Sequence, residues 1–378
     1  MRNSRFWCNV MIGVCGLGVP LPALAAATET VIYSFSNASG FGPLAGLTKV
    51  GSVFYGTTAG GGQYGYGTVF SLTEGGTYKV LYSFSGYPDV IEPEGPLLYS
   101  NGKLYGTSLN GGSEYGGTVF EITRDGKYRI LHSFGSTSGD GIGPAGPLIE
   151  LNGTMYGTTS GGGSKNRGTV FSITPAGVET VIYSLGTGAG DGGSPRTALA
   201  AMNGVLYGTT LDGSGTAFSV TVDGSFKTLY DFPGPKGASF PWGTLLPVDG
   251  VLYGTTQEGG GAGHHEAGGK GVLYSLTTSG KIAAVGYFGN QGRDAIGNLI
   301  SKGKFLYGTA QAGGSGGAGT IFKARLTGYN KIKSEFSFND HTGGTYPSPG
   351  LIRVGGSFYG TTQYGGANNQ GTIFKISP

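Results

Sequence analysis

The chain has 378 residues, 80 of them Gly, and a formal net charge of only +3. Gly at roughly three times its usual share of about 7% would suit a disordered or collagenous chain. However, 12% aromatic, 38% hydrophobic and only 12% charged residues exclude disorder, and the Gly spacing lacks the triplet period of collagen. No basic run or stripe is present, so a nucleic-acid surface is excluded.

In chain order, residues 1–27 read as an export signal. Arg2 and Arg5 give a basic start, Phe6 to Leu21 is mostly apolar but short for a membrane span, and Ala23-Leu24-Ala25 or Ala25-Ala26-Ala27 offers a cleavage site. Cys8 and Cys15 both lie in this segment, so the mature chain is expected to have no disulfide and no Cys-ligated metal. Its removal leaves 22 Lys plus Arg against 21 Asp plus Glu. No later apolar segment is long enough to cross a membrane, so an extracellular or periplasmic bacterial protein without a membrane span is expected.

Thr30-Val31-Ile32-Tyr33-Ser34-Phe35 is the first strand-like run. From there Tyr-Gly-Thr recurs, beginning at Tyr55, Tyr105, Tyr156, Tyr207, Tyr253, Tyr307 and Tyr359, with spacings of 50, 51, 51, 46, 54 and 52 residues. Seven such copies need about 355 residues, so residues 28–378 are read as one domain with no room for a second. The second copy shows the plan. Leu97 to Ser100 ends in the hairpin dipeptide Asn101-Gly102, and Lys103 to Ser108 leads to the loop Asn110-Gly111-Gly112. Gly117 to Thr123 ends in Asp125-Gly126, and Lys127 to Phe134 leads through Asp140-Gly141 into the next copy.

Four short strands per copy with no helical periodicity predict an all-β, seven-bladed β-propeller, four antiparallel strands per blade. The last copy holds only Leu351 to Val354, Ser357 to Thr362 and Gly371 to Ser377, while its missing fourth strand matches Thr30 to Phe35. The N-terminal strand is therefore expected to complete the last blade and close the ring, removing two exposed edges.

The pattern Leu-Tyr-Gly-Thr-Thr, Gly-Gly, spacer, Gly-Thr-Val-Phe, Val-Leu-Tyr-Ser-Phe, clearest in Tyr55 to Phe84 and Tyr156 to Leu185, resembles the GloVer tandem repeat of exported bacterial proteins with differing C-terminal anchors. Copies four and five depart from it, with Gly215-Thr216-Ala217-Phe218 after a shortened loop and Gly271-Val272-Leu273-Tyr274 lacking the Thr. No anchor follows Ile376-Ser377-Pro378, which favours free secretion. The resemblance implies a β-propeller and supplies no reaction or catalytic residues.

In a four-strand meander the tight first and third turns share one face, and the longer second and fourth connections share the other. The residue after the Pro of the fourth connection varies within the repeated frame: Glu94, Ala145, Arg196, Trp242 and Ser348, with Ile296 at the equivalent place in a copy lacking Pro. Glu94, Arg196 and Trp242 are candidates for a carboxylate, a cation and a stacking surface at the channel mouth. Asp89, Asp140, Asp191, Asp294 and Asp340 fall 16, 16, 16, 13 and 19 residues before their Tyr, a pattern that suits either a carboxylate ring for Ca²⁺ or a cationic ligand, or simple Asp turns. No copy has Asp-x-Asp-x-Asp-Gly, which favours turns. His264-His265-Glu266 lies in a long Gly-rich loop, with His264 and Glu266 as further ligand candidates, but adjacent His residues are not the helical zinc pair. His132 lies in a fourth strand with no partner that sequence reveals.

No nucleophile elbow, P-loop or dinucleotide fingerprint occurs in a strand-turn-helix setting, so no catalytic residue, cofactor or metal ligand is assigned. The expected function is a monomeric binding or scaffold module whose loop-bearing face meets a glycan, a peptide or a surface protein. The alternative is a lyase or hydrolase acting on polysaccharide or a small molecule, with Glu94 and either His264 or Asp191 as acid-base pair. A purely structural surface component is a third reading.

Overall fold

The computed structural model describes residues 27–377 apart from 145, 235–236, 261–268, 329–331 and 340–342. The expected export segment lies outside the described residues except for Ala27.

Among the described residues there is no helix, and the chain forms seven four-stranded antiparallel blades in a ring. Blade 1 runs Thr48–Val50, Val53–Thr58, Thr68–Thr73 and Tyr78–Ser83, hydrogen-bonded in that order, and blades 2 to 6 repeat it. In blade 2 the strands Leu98–Ser100, Lys103–Ser108, Thr118–Thr123 and Tyr128–Ser133 fall within a residue or so of the segments predicted from sequence. Blade 7 takes Ile352–Val354, Ser357–Gly365 and Thr372–Ser377 from the end of the chain and Thr28–Ser34 from its beginning. That outermost strand pairs antiparallel from Thr28 opposite Ser377 to Ser34 opposite Thr372. The propeller is thus closed by the N-terminal strand, as expected.

Turn chemistry explains the tight connections. Asn101 and Gly102 have φ of 48° and 82°, the left-handed pair that a two-residue hairpin needs and that Asn-Gly tolerates best. The longer connections meet on the opposite face, where each fourth connection pairs with the second connection of the blade it enters: Val90–Ile91 with Asn110–Gly111, Gly141–Ile142 with Gly161–Gly162, and Ala238–Ser239 with Glu258–Gly259.

The apolar interior is divided into seven clusters, each shared by two neighbouring blades. Phe35, Tyr359 and Ile373 of blade 7 meet Phe54 and Phe70 of blade 1 in the same way that Tyr55 and Val69 of blade 1 meet Leu104 and Phe120 of blade 2. Each blade therefore buries its faces only against others, and the seam that joins the chain ends is equivalent to the rest.

The Tyr-Gly-Thr triplet has three separate jobs. Its Tyr enters the seam. Its Gly sits opposite an aromatic residue of the third strand, as Gly157 does with Phe171, where a Cβ on Gly157 would lie 2.6 Å from Phe171 Cζ. Its Thr ties one blade to the next. The hydroxyl of Thr107 donates to the Gly146 carbonyl at 3.0 Å, Thr158 to Thr197 at 3.2 Å, Thr209 to Pro241 at 2.9 Å, Thr255 to Ala295 at 2.5 Å, Thr309 to Ser348 at 3.3 Å and Thr361 to Ala45 at 2.8 Å. The seventh, Thr57, is buried with no hydrogen-bond partner among the described residues. The following Thr or Ser pairs with the Thr that opens the third strand, as Thr58 does with Thr68 at 2.9 Å and Ser108 with Thr118 at 2.8 Å.

Two predictions follow from closure. Thr361→Val strands the buried Ala45 carbonyl and should cost about 1–2 kcal/mol, whereas Thr57→Val removes an orphan hydroxyl and should be neutral or stabilising; equal losses in urea denaturation of the two variants would contradict the assignment. Deleting residues 28–36 leaves blade 7 with three strands and should abolish cooperative melting or cause self-association; a monomer with unchanged Tm would contradict ring closure.

Candidate functional site

The loop-bearing face is shaped by seven turns that enter the first strands. In each, the residue two before the variable position adopts a left-handed backbone: Gly42, Glu92 (φ 57°), Gly143, Ser194 (54°), Phe240 (57°), Asp294 (55°) and Tyr346 (54°). For a non-Gly residue such a conformation costs on the order of 1–3 kcal/mol and persists only where the surroundings impose it. Here it turns each chain inward toward the axis. Neighbouring turns then touch: a Cβ on Gly46 would lie 2.5 Å from the Gly350 Cα, and one on Gly146 would lie 2.7 Å from the Thr197 carbonyl oxygen.

Above this constriction lies a cavity of about 200 Å³ whose lining includes Leu44, Glu94, Arg196, Trp242 and Ile296. Four of the varied positions read from sequence, Glu94, Arg196, Trp242 and Ile296, are therefore brought together from blades 2, 4, 5 and 6, and Leu44 of blade 1, which that reading did not include, joins them. Ser348 is spent differently, since its buried hydroxyl donates to the Pro43 carbonyl at 2.5 Å across the closing seam. Ala145 lies outside the described residues. The lining also includes Asn298, Gln311 and Gln363, which the sequence reading missed. Asn298 lies two residues beyond Ile296, Gln311 directly follows the second strand of blade 6, and Gln363 lies near the end of the second strand of blade 7.

Neither Glu94 nor Arg196 makes a side-chain hydrogen bond or ion pair with the described residues. Burial and the neighbouring Glu92 carboxylate push the Glu94 carboxyl above its usual range, with the Arg196 guanidinium pulling it down. Trp242 is partly buried at the wall. On the second and fourth connections, Phe41, Tyr64, Tyr66, Tyr87, Tyr115, Tyr346 and Tyr364 are exposed. Tyr87 and Tyr115 stack with ring centroids 4.2 Å apart.

The Asp candidates do not form a ring. Asp89 is buried and accepts the Tyr128 hydroxyl at 2.5 Å, the Tyr82 hydroxyl at 3.1 Å and the Ser85 amide at 3.0 Å. Asp191 accepts the Tyr183 hydroxyl at 2.9 Å and the amides of Gly186, Thr187 and Gly188 at 3.1, 3.1 and 2.9 Å. Asp140 accepts the amides of Gly135, Ser136 and Gly141. Each carboxylate thus holds its own loop, the turn reading that the sequence favoured. Asp294 was aligned with them and differs: it occupies the left-handed position, and its Oδ1 accepts Gln257 Nε2 at 3.2 Å. Asp191 lines a different cleft with Arg167 and Asp212, so the expected Glu94–Asp191 pairing is not made. His264 and Glu266 lie outside the described residues, as do Asp340 and His341.

A second grouping was also missed. His132, Asp140 and Glu179 offer donor atoms all within 4.8 Å of one another in the seam between blades 2 and 3. Burial, then the Asp140 charge, pushes the Glu179 carboxyl up to about 7.

A family model described as the Gloeobacter/Verrucomicrobia repeat matches residues 22–214 and 211–378. A crystal structure described as a candidate 6-phosphogluconolactonase from Bacteroides uniformis superposes with a TM-score of 0.50 at 16% identity, covering 77% of this chain and 83% of that one. At that identity the likeness is one of fold alone. No curated protein matches the chain.

The Asp roles can be separated by stability. Asp89→Asn should cost about 1–3 kcal/mol, because it replaces one oxygen of a buried carboxylate that accepts four hydrogen bonds, and Asp294→Asn should change stability by less than about 0.5 kcal/mol; comparable losses in thermal or urea unfolding would contradict the assignment.

Proposed function

The chain belongs to the Gloeobacter/Verrucomicrobia repeat family, and on that footing we propose that it is an exported, monomeric binding propeller that takes the end of a glycan at the mouth cavity. The observation that carries this reading is the convergence of Glu94, Arg196 and Trp242 from three blades on one cavity, where neither charged side chain makes a hydrogen bond or ion pair with the described residues. About 200 Å³ is below the roughly 300–1,000 Å³ of sites that swallow a drug-sized molecule. It suits a single sugar ring, with the remainder of the ligand crossing the aromatic residues outside. An indole face suits the apolar face of a sugar, and the amides of Asn298, Gln311 and Gln363 with the Arg196 and Glu94 side chains supply donors and acceptors for its hydroxyl groups.

A peptide or surface-protein ligand would use the same aromatic rim, and the array described below separates it from a glycan. The hydrolase or lyase reading has less support, since Glu94 is the only carboxylate and no His joins it in the cavity among the described residues. General acid-base cleavage of a glycosidic bond ordinarily employs a carboxylate pair. The lactonase-like neighbour shares architecture at 16% identity and lends no reaction to this chain.

A glycan array probed with the protein should identify a ligand. Trp242→Ala and Arg196→Ala should each weaken its binding by about tenfold or more, equivalent to about 1.4 kcal/mol, with little change in Tm. Binding unchanged in both variants, or capture of proteins but no glycan, would overturn this assignment.

A further inference from the structure

At three seams the outermost strands meet through the same aromatic contact. One residue near the end of a blade's fourth strand lies against one near the start of the next blade's fourth strand. Tyr33 stacks on Tyr78 with centroids 3.9 Å apart, Tyr82 on Tyr128 at 4.2 Å, and Tyr183 on Phe226 at 4.2 Å. In the seam between blades 2 and 3 the same two places hold His132 and Glu179. The Asp of the connection stays. Asp89 accepts the hydroxyls of both tyrosines in its seam, whereas Asp140 faces an imidazole and a second carboxylate.

This substitution leaves polar atoms unused. His132 Nε2 and Glu179 Oε1 are sealed from solvent, and neither has a hydrogen-bond partner among the described residues. His132 Nε2 lies 3.4 Å from Asp140 Oδ2 but is not aligned as a hydrogen bond. No Lys or Arg forms an ion pair with Asp140 or Glu179 among the described residues. Two carboxylates side by side without a cation repel, and unpartnered buried polar atoms are costly.

We propose that His132, Asp140 and Glu179 form a binding site for a divalent transition-metal ion, with Zn²⁺ as the best fit, in the seam between blades 2 and 3. One imidazole nitrogen and two carboxylate oxygens are suitable donors for zinc, whereas Ca²⁺ and Mg²⁺ prefer all-oxygen shells. Ligands about 2.0–2.2 Å from a tetrahedral ion stand about 3.3–3.6 Å apart. The His132–Asp140 separation of 3.4 Å already meets this, and the donor atoms of all three residues lie within 4.8 Å of one another. Asp140 is pre-oriented by the amides of Gly135 at 2.9 Å and Gly141 at 2.7 Å, the support that metal-bound carboxylates usually have. The ion would join the outer strands of adjacent blades as the aromatic stack does elsewhere. Three protein donors would leave a coordination position for water or a ligand group.

The test is Zn²⁺ titration by calorimetry, with thermal melting in parallel. The full chain should carry Cys8→Ser, Cys15→Ser, His264→Ala and His265→Ala to remove competing ligands. One Zn²⁺ per chain and a raised Tm are expected, with Ca²⁺ giving neither. His132→Gln and Glu179→Gln should each weaken Zn²⁺ by at least about tenfold. The double variant His132→Tyr/Glu179→Tyr rebuilds the stack of the preceding seam, so it should fold, bind no Zn²⁺ and melt independently of it. Absence of stoichiometric binding in the parent, or Zn²⁺ binding retained in the folded double variant, would overturn the proposal. Equal affinity in Glu179→Gln would also overturn it, leaving Glu179 as a carboxyl that simply holds a proton.

Discussion

Everything else in this propeller depends on an aromatic ring lying over a glycine. In each blade the Gly of Tyr-Gly-Thr faces Phe or, in blade 5, Tyr274 across the middle pair of strands, and any side chain there would strike that ring. The ring can then lie across its own sheet and offer its other side to the neighbouring blade, so that one residue contributes to both. Seven such pairs give seven seam clusters and no self-contained blade core. A blade alone would expose both faces, which is why the ring closes through Thr28–Ser34. Tyr274 shows the tolerance of the frame, because its buried hydroxyl has no partner and burial raises its pKa well above the usual tyrosine value.

With the frame held by Gly, Phe and Thr, the residues that differ between copies are free to serve something else. They cluster at two kinds of place. The inner turns carry Leu44, Glu94, Arg196, Trp242 and Ile296 into a common cavity at the axis. Three of the outer seams carry aromatic stacks, and another carries His132 and Glu179 beside Asp140. Both departures set polar side chains where other copies have apolar or aromatic ones. The left-handed backbone at Glu92, Ser194, Phe240 and Tyr346 shows how firmly the frame imposes the inner turns.

Much of this was legible in the sequence because it is local and repeated. Asn-Gly turns, strand alternation and the Tyr spacing are visible without three-dimensional knowledge, and the missing last strand is visible by counting. The residue after each Pro was found because it varies in a fixed frame, and Ile296 was placed correctly without its Pro. Asp294 was misaligned because residue type was given more weight than distance to the following Tyr; that connection is shorter, and the carboxylate moves to the left-handed position. Relationships between blades were not legible. The partner of Thr107 or Thr158 is a backbone carbonyl 39 residues onward, with no side-chain signal. His132 meets Glu179 only through the register of adjacent blades. Aligning all fourth strands and asking which seam sets a His against a carboxylate would have exposed that pair.

The central claim is that Gly and the aromatic residue opposite it act as one unit. A double-mutant cycle on Gly157 and Phe171 in urea denaturation tests it most directly. Gly157→Ala alone should cost about 1–3 kcal/mol through overpacking, and in the presence of Phe171→Leu, which withdraws the Cζ atom that the new Cβ would strike, it should cost at least about 0.5 kcal/mol less. A neutral Gly157→Ala, or strict additivity of the two substitutions, would contradict the account.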